Sequence, residues 1–421
     1  MKQHYRTIAV GSVGNIMEWF DFSIYGYFAP VIARVFFPAG DHFLSLLATL
    51  GIFASGFLMR PLGAAYFGHL GDTRGRSRAL VLSVVLMAVP TCLMGFLPTY
   101  AQAGIWAPVM LTLLRLIQGF SVGGELTGSI TYMAEQAPAA HRGFFTSFAT
   151  FGTVSGFLLG SLTGAVITEN FSEDLLFSWG WRTAFWCGIL LGAAIFIVRR
   201  GLLADSPSGT GLPEPGGHRS PVREVLSQHR PLLARIFGIA SFIAVSYYMI
   251  TVYLSTFLSS ETHLPLPMAL KINTLAMGVL IVLVPLMGAL SDRWGRKPLM
   301  LASSLGFVLL SYPLFHLLSN GVPWDDLMAQ LVFVVLIALY EGTYPALLAE
   351  ICPARVRMTA FSLSFNLSMA VLGGTTPLVA TLLIRELDTK AAPSFYLILV
   401  GLVCFLVTLG MRETKDCSLS D

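Results

Sequence analysis

The chain has 421 residues, of which 55% are hydrophobic and only 12% charged. That charged share is about half that of a soluble domain, and with a mean hydropathy of +0.72 it excludes a soluble globular protein and predicts one built into a bilayer. A net charge of +3 is too small to imply a nucleic-acid partner.

The first apolar run follows Lys2 and Arg6 directly. It carries Glu18 and Asp21, and a cleaved signal peptide has no acids in its apolar core, so the run reads as a retained first crossing. At about 20 residues per crossing, the runs predict helices over 8–34, 44–70, 79–97, 106–134, 144–168, 180–201, 233–259, 268–291, 299–317, 325–350, 358–384 and 393–412. These twelve divide six and six, an all-α integral membrane fold of two bundles over residues 1–201 and 231–421. Residues 202–230 hold Pro207, Pro213, Pro215 and Pro221 among Ser, Gly and charge, and read as a flexible linker. In the fifth crossing Gly152, Gly156, Gly160 and Gly164 have the four-residue spacing of close helix packing. Trp179 and Trp181 beside Arg182 read as interfacial anchors. Alternate connections collect most of the basic residues, among them Arg74, Arg76, Arg142, Arg296, Lys297 and Arg357. The opposite connections hold mainly acids, namely Asp41, Glu169, Glu173, Asp174, Glu261, Asp325 and Asp326. The positive-inside rule then places both termini in the cytoplasm.

Two stretches repeat each other about 220 residues apart, Gly68-His-Leu-Gly-Asp72-Thr-Arg-Gly75-Arg76 and Gly288-Ala-Leu-Ser-Asp292-Arg-Trp-Gly295-Arg296. A second echo follows at nearly the same offset, Glu135-x-x-Pro138-x-x-x-Arg142 and Glu350-x-x-Pro353-x-x-x-Arg357. Two echoes in one order mean a duplicated membrane unit, and folds of that kind are mostly transporters with the substrate held between the repeats. Cys92, Cys187, Cys352, Cys404 and Cys417 are odd in number and irregular, so they frame no disulfide scaffold. The eight histidines show no metal-ligand pairing. No nucleotide loop or nucleophile–base set argues for an enzyme, and no cofactor is expected.

The doubled G-x-L-x-D-x-x-G-R after crossings two and eight resembles the major facilitator superfamily. Further stretches narrow the resemblance: Gly14-Asn15-x-x-Glu18-Trp-Phe20-Asp21-Phe22, Arg60-Pro61-Leu-Gly63, Arg115-Leu-x-Gln118-Gly119-Phe-Ser-x-Gly123-Gly124-Glu125, and Trp179-Gly-Trp-Arg182. Together they are similar to the metabolite:proton symporter branch. Ile250-Thr-Val-Tyr253, with Phe361-Ser-Leu-Ser-Phe365 through Gly373-Gly374-Thr-x-Pro377, resembles citrate and tricarballylate symporters. The resemblance implies a bacterial inner-membrane carrier, taken as a monomer, whose partners are a small organic acid, protons and the lipid bilayer. It also implies that Asp72 and Asp292, beside Arg76 and Arg296, are inner-face latches in which Asp meets a helix N-terminus and a nearby Arg. Glu135, Arg142, Glu350 and Arg357 are expected to support the same gate.

A charge at the centre of a membrane helix costs about 2.5–3.5 kcal/mol on insertion scales. Six residues bear that cost: Glu18, Asp21, Arg60, Arg115, Glu125 and Glu341. Such residues are a functional hypothesis by default. Helical spacing gathers Asn15, Glu18, Asp21 and Tyr25 on one stripe of the first crossing, and Arg115, Gln118 and Glu125 on one face of the fourth. The seventh offers Ser241, Tyr248, Thr251 and Ser255, and the eleventh Thr359, Ser362, Asn366 and Gly373. Four polar stripes predict a solvent-reachable cavity between the halves. Guanidinium binds carboxylate through two parallel bonds, so Arg115 is the first choice for the substrate and Arg60 the second; the alternative for Arg115 is an ion pair with Glu18, Asp21 or Glu125. Asn15, Tyr25, Gln118, Tyr248, Thr251 and Asn366 complete the candidate substrate set. Asp21, Glu125, Glu18 and Glu341 are the candidate proton carriers, since burial and a neighbouring Arg pull a carboxyl in opposite directions. Glu341 lies outside the motifs shared with the family and also suits a substrate with some positive charge. The reading is therefore proton-driven import of a di- or tricarboxylate such as citrate. The alternatives are proline or betaine, 2-oxoglutarate, shikimate or a citrate-built siderophore, and beyond these an efflux pump.

Overall fold

The computed structural model describes residues 2–38, 40–66, 76–204, 221–415 and 417–419. Twelve helical rods follow one another, and there is no strand among the described residues. Helix α1 runs Lys2–Tyr27 and resumes as Ala29–Phe36. The kink falls at Phe28, where Pro30 has no N–H to continue the ladder. Then come α2 (His42–Tyr66), α4 (Trp106–Gln136) and α5 (Arg142–Asn170, after a short 3-10 turn), with α3 (Arg76–Met94) and α6 (Trp181–Ala204) around them. The second six are α7 (Arg230–Ser260), α8 (Leu266–Trp294), α9 (Arg296–Leu318), α10 (Pro323–Ile351), α11 (Arg357–Leu387) and α12 (Pro393–Leu409). Among the described residues eight of them, α2, α4, α5 and α7–α11, are long and apolar enough to cross a membrane.

Four rods are interrupted near mid-length. α4 breaks at residues 122–124 and α10 at 342–343, the fourth member of each six. α7 and α11 widen into π turns at Met249–Tyr253 and Met369–Gly373. Interruptions of this kind free backbone groups and recur where membrane helices line a site.

The glycine row of α5 is explained by its neighbour. A Cβ on Gly152 or Gly156 would run into the carbonyls of Ser12 and Ile16 in α1, and one on Gly160 into the Ser23 hydroxyl. The next glycine, Gly164, faces both Leu270 of α8 and Phe28 at the kink of α1. α5 is thus wedged between α1 and α8, one from each set of six. Helices in lipid gain nothing from hiding oil, so contacts this close supply the packing energy.

Three expectations are corrected here. The connection over 202–230 is not wholly a coil: α6 continues to Ala204, and Pro221–Gln228 forms a helix docked through buried Val225 and an Arg355–Glu224 ion pair of 3.2 Å. Proline at the helix start fits its first turn, where no N–H is needed. Asp326, expected among loop acids, is buried because α10 begins early enough, at Pro323, to turn it inward. Trp181 is no interfacial anchor but is buried edge-on against Phe36 at 5.2 Å, while Trp179 is exposed.

Candidate functional site

The mid-membrane charges of the first six helices meet one another. α1 presents Glu18, Asp21 and Tyr25 on one stripe because they stand three and four residues apart. Glu18 pairs with Arg60 of α2 at 3.1 Å, both side chains almost wholly buried. Arg115 of α4 is 1% exposed. Its guanidinium lies 3.8 Å from the centre of the Tyr25 ring, with Phe22 and Phe53 at 5.3 and 5.6 Å. Its Nη1 donates to Gln118 Oε1 at 3.0 Å, Gln118 Nε2 donates to the Thr91 hydroxyl at 2.7 Å, and Thr91 donates to Asp21 Oδ2 at 2.7 Å. Arg115 and Asp21 are therefore coupled through two side chains and not by a direct ion pair. Thr91 also reaches the Met87 carbonyl at 2.8 Å. When Asp21 is ionised, the hydroxyl proton serves the carboxylate; when Asp21 is protonated, it can donate to Thr91, whose own proton turns to Met87. The Asp21–Thr91 hydrogen bond can thus be kept in both charge states of Asp21, while Asp21 Oδ1 has no partner among the described residues.

The remaining candidates separate. Asn15 donates to Ser129 Oγ at 3.1 Å and the Ala149 carbonyl at 3.3 Å, which ties α1 to α4 and α5. Thr251 donates to the Tyr247 carbonyl at 2.7 Å within its own helix. Tyr25 donates to the Thr49 carbonyl at 3.0 Å. Glu125 opens the second segment of α4, near enough to Glu18 for their like charges to repel. Asn366 of α11 donates to the Gly123 carbonyl at 2.8 Å, so the break in α4 is met by the other six helices.

Tyr248 of α7 closes the seam. Its ring stands 5.2 Å from Phe57, 6.1 Å from both Trp19 and Phe53, and 6.2 Å from Phe157. Tyr247 packs edge-on to Phe157 at 5.1 Å. Arg60 faces the Trp19 and Phe57 rings at 5.3 and 5.5 Å. Buried polar atoms are nearly always bonded, yet the Tyr247 and Tyr248 hydroxyls, Trp19 Nε1, two nitrogens each of Arg60 and Arg115, and Glu341 Oε2 have no partner among the described residues. Glu341 ends the first segment of α10, 3% exposed, and its carbonyl accepts from Thr150 of α5 at 3.1 Å. Among the described residues the expected open vestibule does not appear: Glu18, Asp21, Arg60, Arg115, Tyr248 and Glu341 are all buried, with aromatic rings packed around them. Thr91, Phe53, Phe57, Phe157 and Tyr247 were not among the residues the sequence singled out, and Trp19 entered only as a motif position.

The closure is explicit at the end of the bundle that carries the C-terminal tail, here the tail face. Asp292 of α8 accepts from the N–H groups of Gly143 and Phe144, both at 2.8 Å, in the first turn of α5. An anion there satisfies free donors and the helix dipole together. Gly288 makes this approach possible, since a Cβ on it would press within 2.7 Å of the Gly143 carbonyl. Arg296 holds Asp292 at 2.8 Å and Glu350 at 3.1 Å. The second echoed motif pairs crosswise: Glu350 takes Arg142 of the other copy at 3.0 Å, and Arg357 takes Glu135 at 3.0 Å. Asp72 lies outside the described residues. Arg76 opens α3, and its side chain also lies outside them.

Two sets of six helices, the fourth of each broken near its middle, with one doubled motif paired across their junction, define a recognisable architecture. The profile of the Major Facilitator Superfamily matches residues 11–377. The chain belongs to the Major Facilitator Superfamily. It is accordingly a multi-pass membrane transporter and not an enzyme. Among its relatives in this superfamily, a proline/betaine transporter of Salmonella typhimurium is 33% identical over 98% of the chain and 84% of the relative. A glycine betaine/proline/ectoine/pipecolic acid transporter of Dickeya dadantii is also 33% identical, with the same coverage. A putative proline/betaine transporter of Staphylococcus aureus is 34% identical over 96% of the chain and 88% of the relative. A solved structure of the proton:xylose symporter XylE superposes with a TM-score of 0.77 at 17% identity, over 99% of this chain and 98% of that one. At that identity the likeness concerns the fold alone.

Proposed function

We propose that this superfamily member imports a small zwitterion of the proline or glycine-betaine type together with protons, by alternating access. The observation that carries the reading is the seam itself. Two guanidinium groups with unengaged N–H donors lie against the aromatic rings that line it, and Glu341 is buried with no ion-pair partner among the described residues. A zwitterion brings one carboxylate and one cationic nitrogen. Arg115, with Arg60 beside it, suits the carboxylate through paired N–H bonds. The face of Tyr248, which carries no guanidinium, suits a quaternary nitrogen, which has no N–H to donate and binds through the ring quadrupole. Glu341 adds a negative charge to the cationic end. The names of the relatives support the same reading. Citrate, the first expectation, gives way to the proline/betaine alternative, because its carboxylates would crowd Glu18, Asp21 and Glu341 and no relative named above is a citrate carrier.

Asp21 is the first proton candidate, through the Thr91 relay; Glu18, Glu125 and Glu341 follow. The bias of basic residues puts the tail face in the cytoplasm of a bacterial inner membrane. Residues 1–201 and 231–421 then rock as two bundles about the seam, with 202–230 as their connector. The deciding experiment is uptake into proteoliposomes under an imposed inward proton gradient. Labelled glycine betaine and proline should accumulate and a protonophore should abolish this. Accumulation of citrate with no uptake of either zwitterion would overturn the reading.

A further inference from the structure

The tail beyond α12 runs across the latch. Glu413 accepts the backbone N–H groups of Arg296 and Lys297, which open α9, at 2.8 and 3.0 Å. Thr414 donates to Glu350 Oε2 at 2.6 Å, on the carboxylate that already holds Arg296 and Arg142. Lys415 Nζ donates to the Arg293 carbonyl at 2.9 Å, and Lys297 Nζ to those of Leu409 and Met411 at 2.8 and 2.7 Å. The last described residues then take the two motif arginines. Arg142 Nη1 donates to the Cys417 carbonyl at 3.2 Å, and Arg357 Nη2 to that of Leu419 at 2.6 Å. A cavity of about 510 Å³ lies beneath, between Glu350, Cys352 and Arg357 on one side and Cys417 and Ser418 on the other.

A tail that only packed on the ends of its own helices would touch α8–α11. This one also engages Arg142, which opens α5 in the other six. When the tail face opens, α5 must leave Asp292 and Glu350, and Arg142 must leave the Cys417 carbonyl with them. We infer that residues 411–415 and 417–419 form a strap that holds this face closed, adding its own contacts to the latch. Glu413 anchors the strap, Thr414 ties it to the shared carboxylate, and the carbonyl of Cys417 spans to the opposite half. Strap release is therefore a step in opening, whatever solute the centre takes.

The test places spin labels on exposed Ala140 and Ala354, which stand on the two connections flanking the gate. Their separation is read by pulsed electron resonance in the full chain, in Glu413→Ala, and in a chain ending at Arg412. The full chain should give mainly the short distance of the closed face. Each strap variant should enlarge a longer-distance population about fivefold, the effect of one lost net interaction of ordinary strength. If the shortened chain does not fold, Glu413→Ala decides alone. Lower thermal stability with an unchanged distance distribution means that the tail merely braces its own helices, and it overturns the inference.

Discussion

Arg115 is the residue on which transport should depend most. Arg115→Lys keeps the charge but loses the planar fork; uptake efficiency for glycine betaine should fall tenfold or more, about 1.4 kcal/mol, and near-wild-type uptake would remove Arg115 from the site. Tyr248→Leu keeps the bulk and loses the ring face. Cation–π contacts contribute about 0.5–2 kcal/mol, so betaine affinity should drop several-fold. Proline, whose ammonium has N–H donors to offer elsewhere, should lose less, and equal losses for both would contradict a cage. Thr91→Val removes the hydroxyl that serves both states of Asp21. The expected result is a displaced pH profile of uptake with betaine binding nearly intact; loss of binding with an unmoved profile would mean that Thr91 only supports packing. Much at this scale was legible, because a lone charge in an apolar run stands out wherever it falls. Thr91 and the ring cage were not. A threonine is common in membrane helices, and a chain with 30 phenylalanines does not say which of them share a pocket.

At the scale of elements, the doubled motifs act through helix ends. Asp292 caps α5 from across the seam, so Asp292→Ala leaves two first-turn donors unmet and removes an anion from the dipole. The cost should be about 1–2 kcal/mol, read as a larger open-face population between labels at Ala140 and Ala354. The strap adds a pH dependence. Burial pushes the Glu413 carboxyl up, but the N–H groups of Arg296, Lys297, Lys415 and Thr414 outweigh it and hold the group below its usual range. A carboxyl depressed in the folded state contributes fully above its unfolded value, about 4.3, and the contribution fades as pH falls through the lower folded value. Acidifying the tail face into that window should loosen the strap, and Glu413→Gln should flatten the response. Motif membership announced these residues in the sequence. The crosswise pairing, Glu135 with Arg357 and Glu350 with Arg142, did not show, because each motif is complete in itself and nothing local says that it binds its copy.

For the whole molecule, the solute's charge decides the energetics. A dianion imported with one proton moves against an inside-negative potential at about 2.3 kcal/mol per charge per 100 mV. A zwitterion with one proton carries net positive charge and gains that amount. An imposed inside-negative potential without a pH gradient should therefore speed betaine uptake and give an inward current, and uptake indifferent to potential would rule out this stoichiometry. The sequence by itself determined the solvent, the twelve crossings and the duplication, because hydropathy and motif recurrence are properties of neighbouring residues along a chain. Only the tertiary structure decided which buried charges meet, that Arg60 is neutralised by Glu18 while Arg115 reaches Asp21 through Gln118 and Thr91, that rings pack across the seam, and that the tail touches Arg142 of the other half. Those outcomes rest on hydrogen bonds and Coulomb forces that act over a few ångströms, between groups that the chain order keeps tens to hundreds of residues apart.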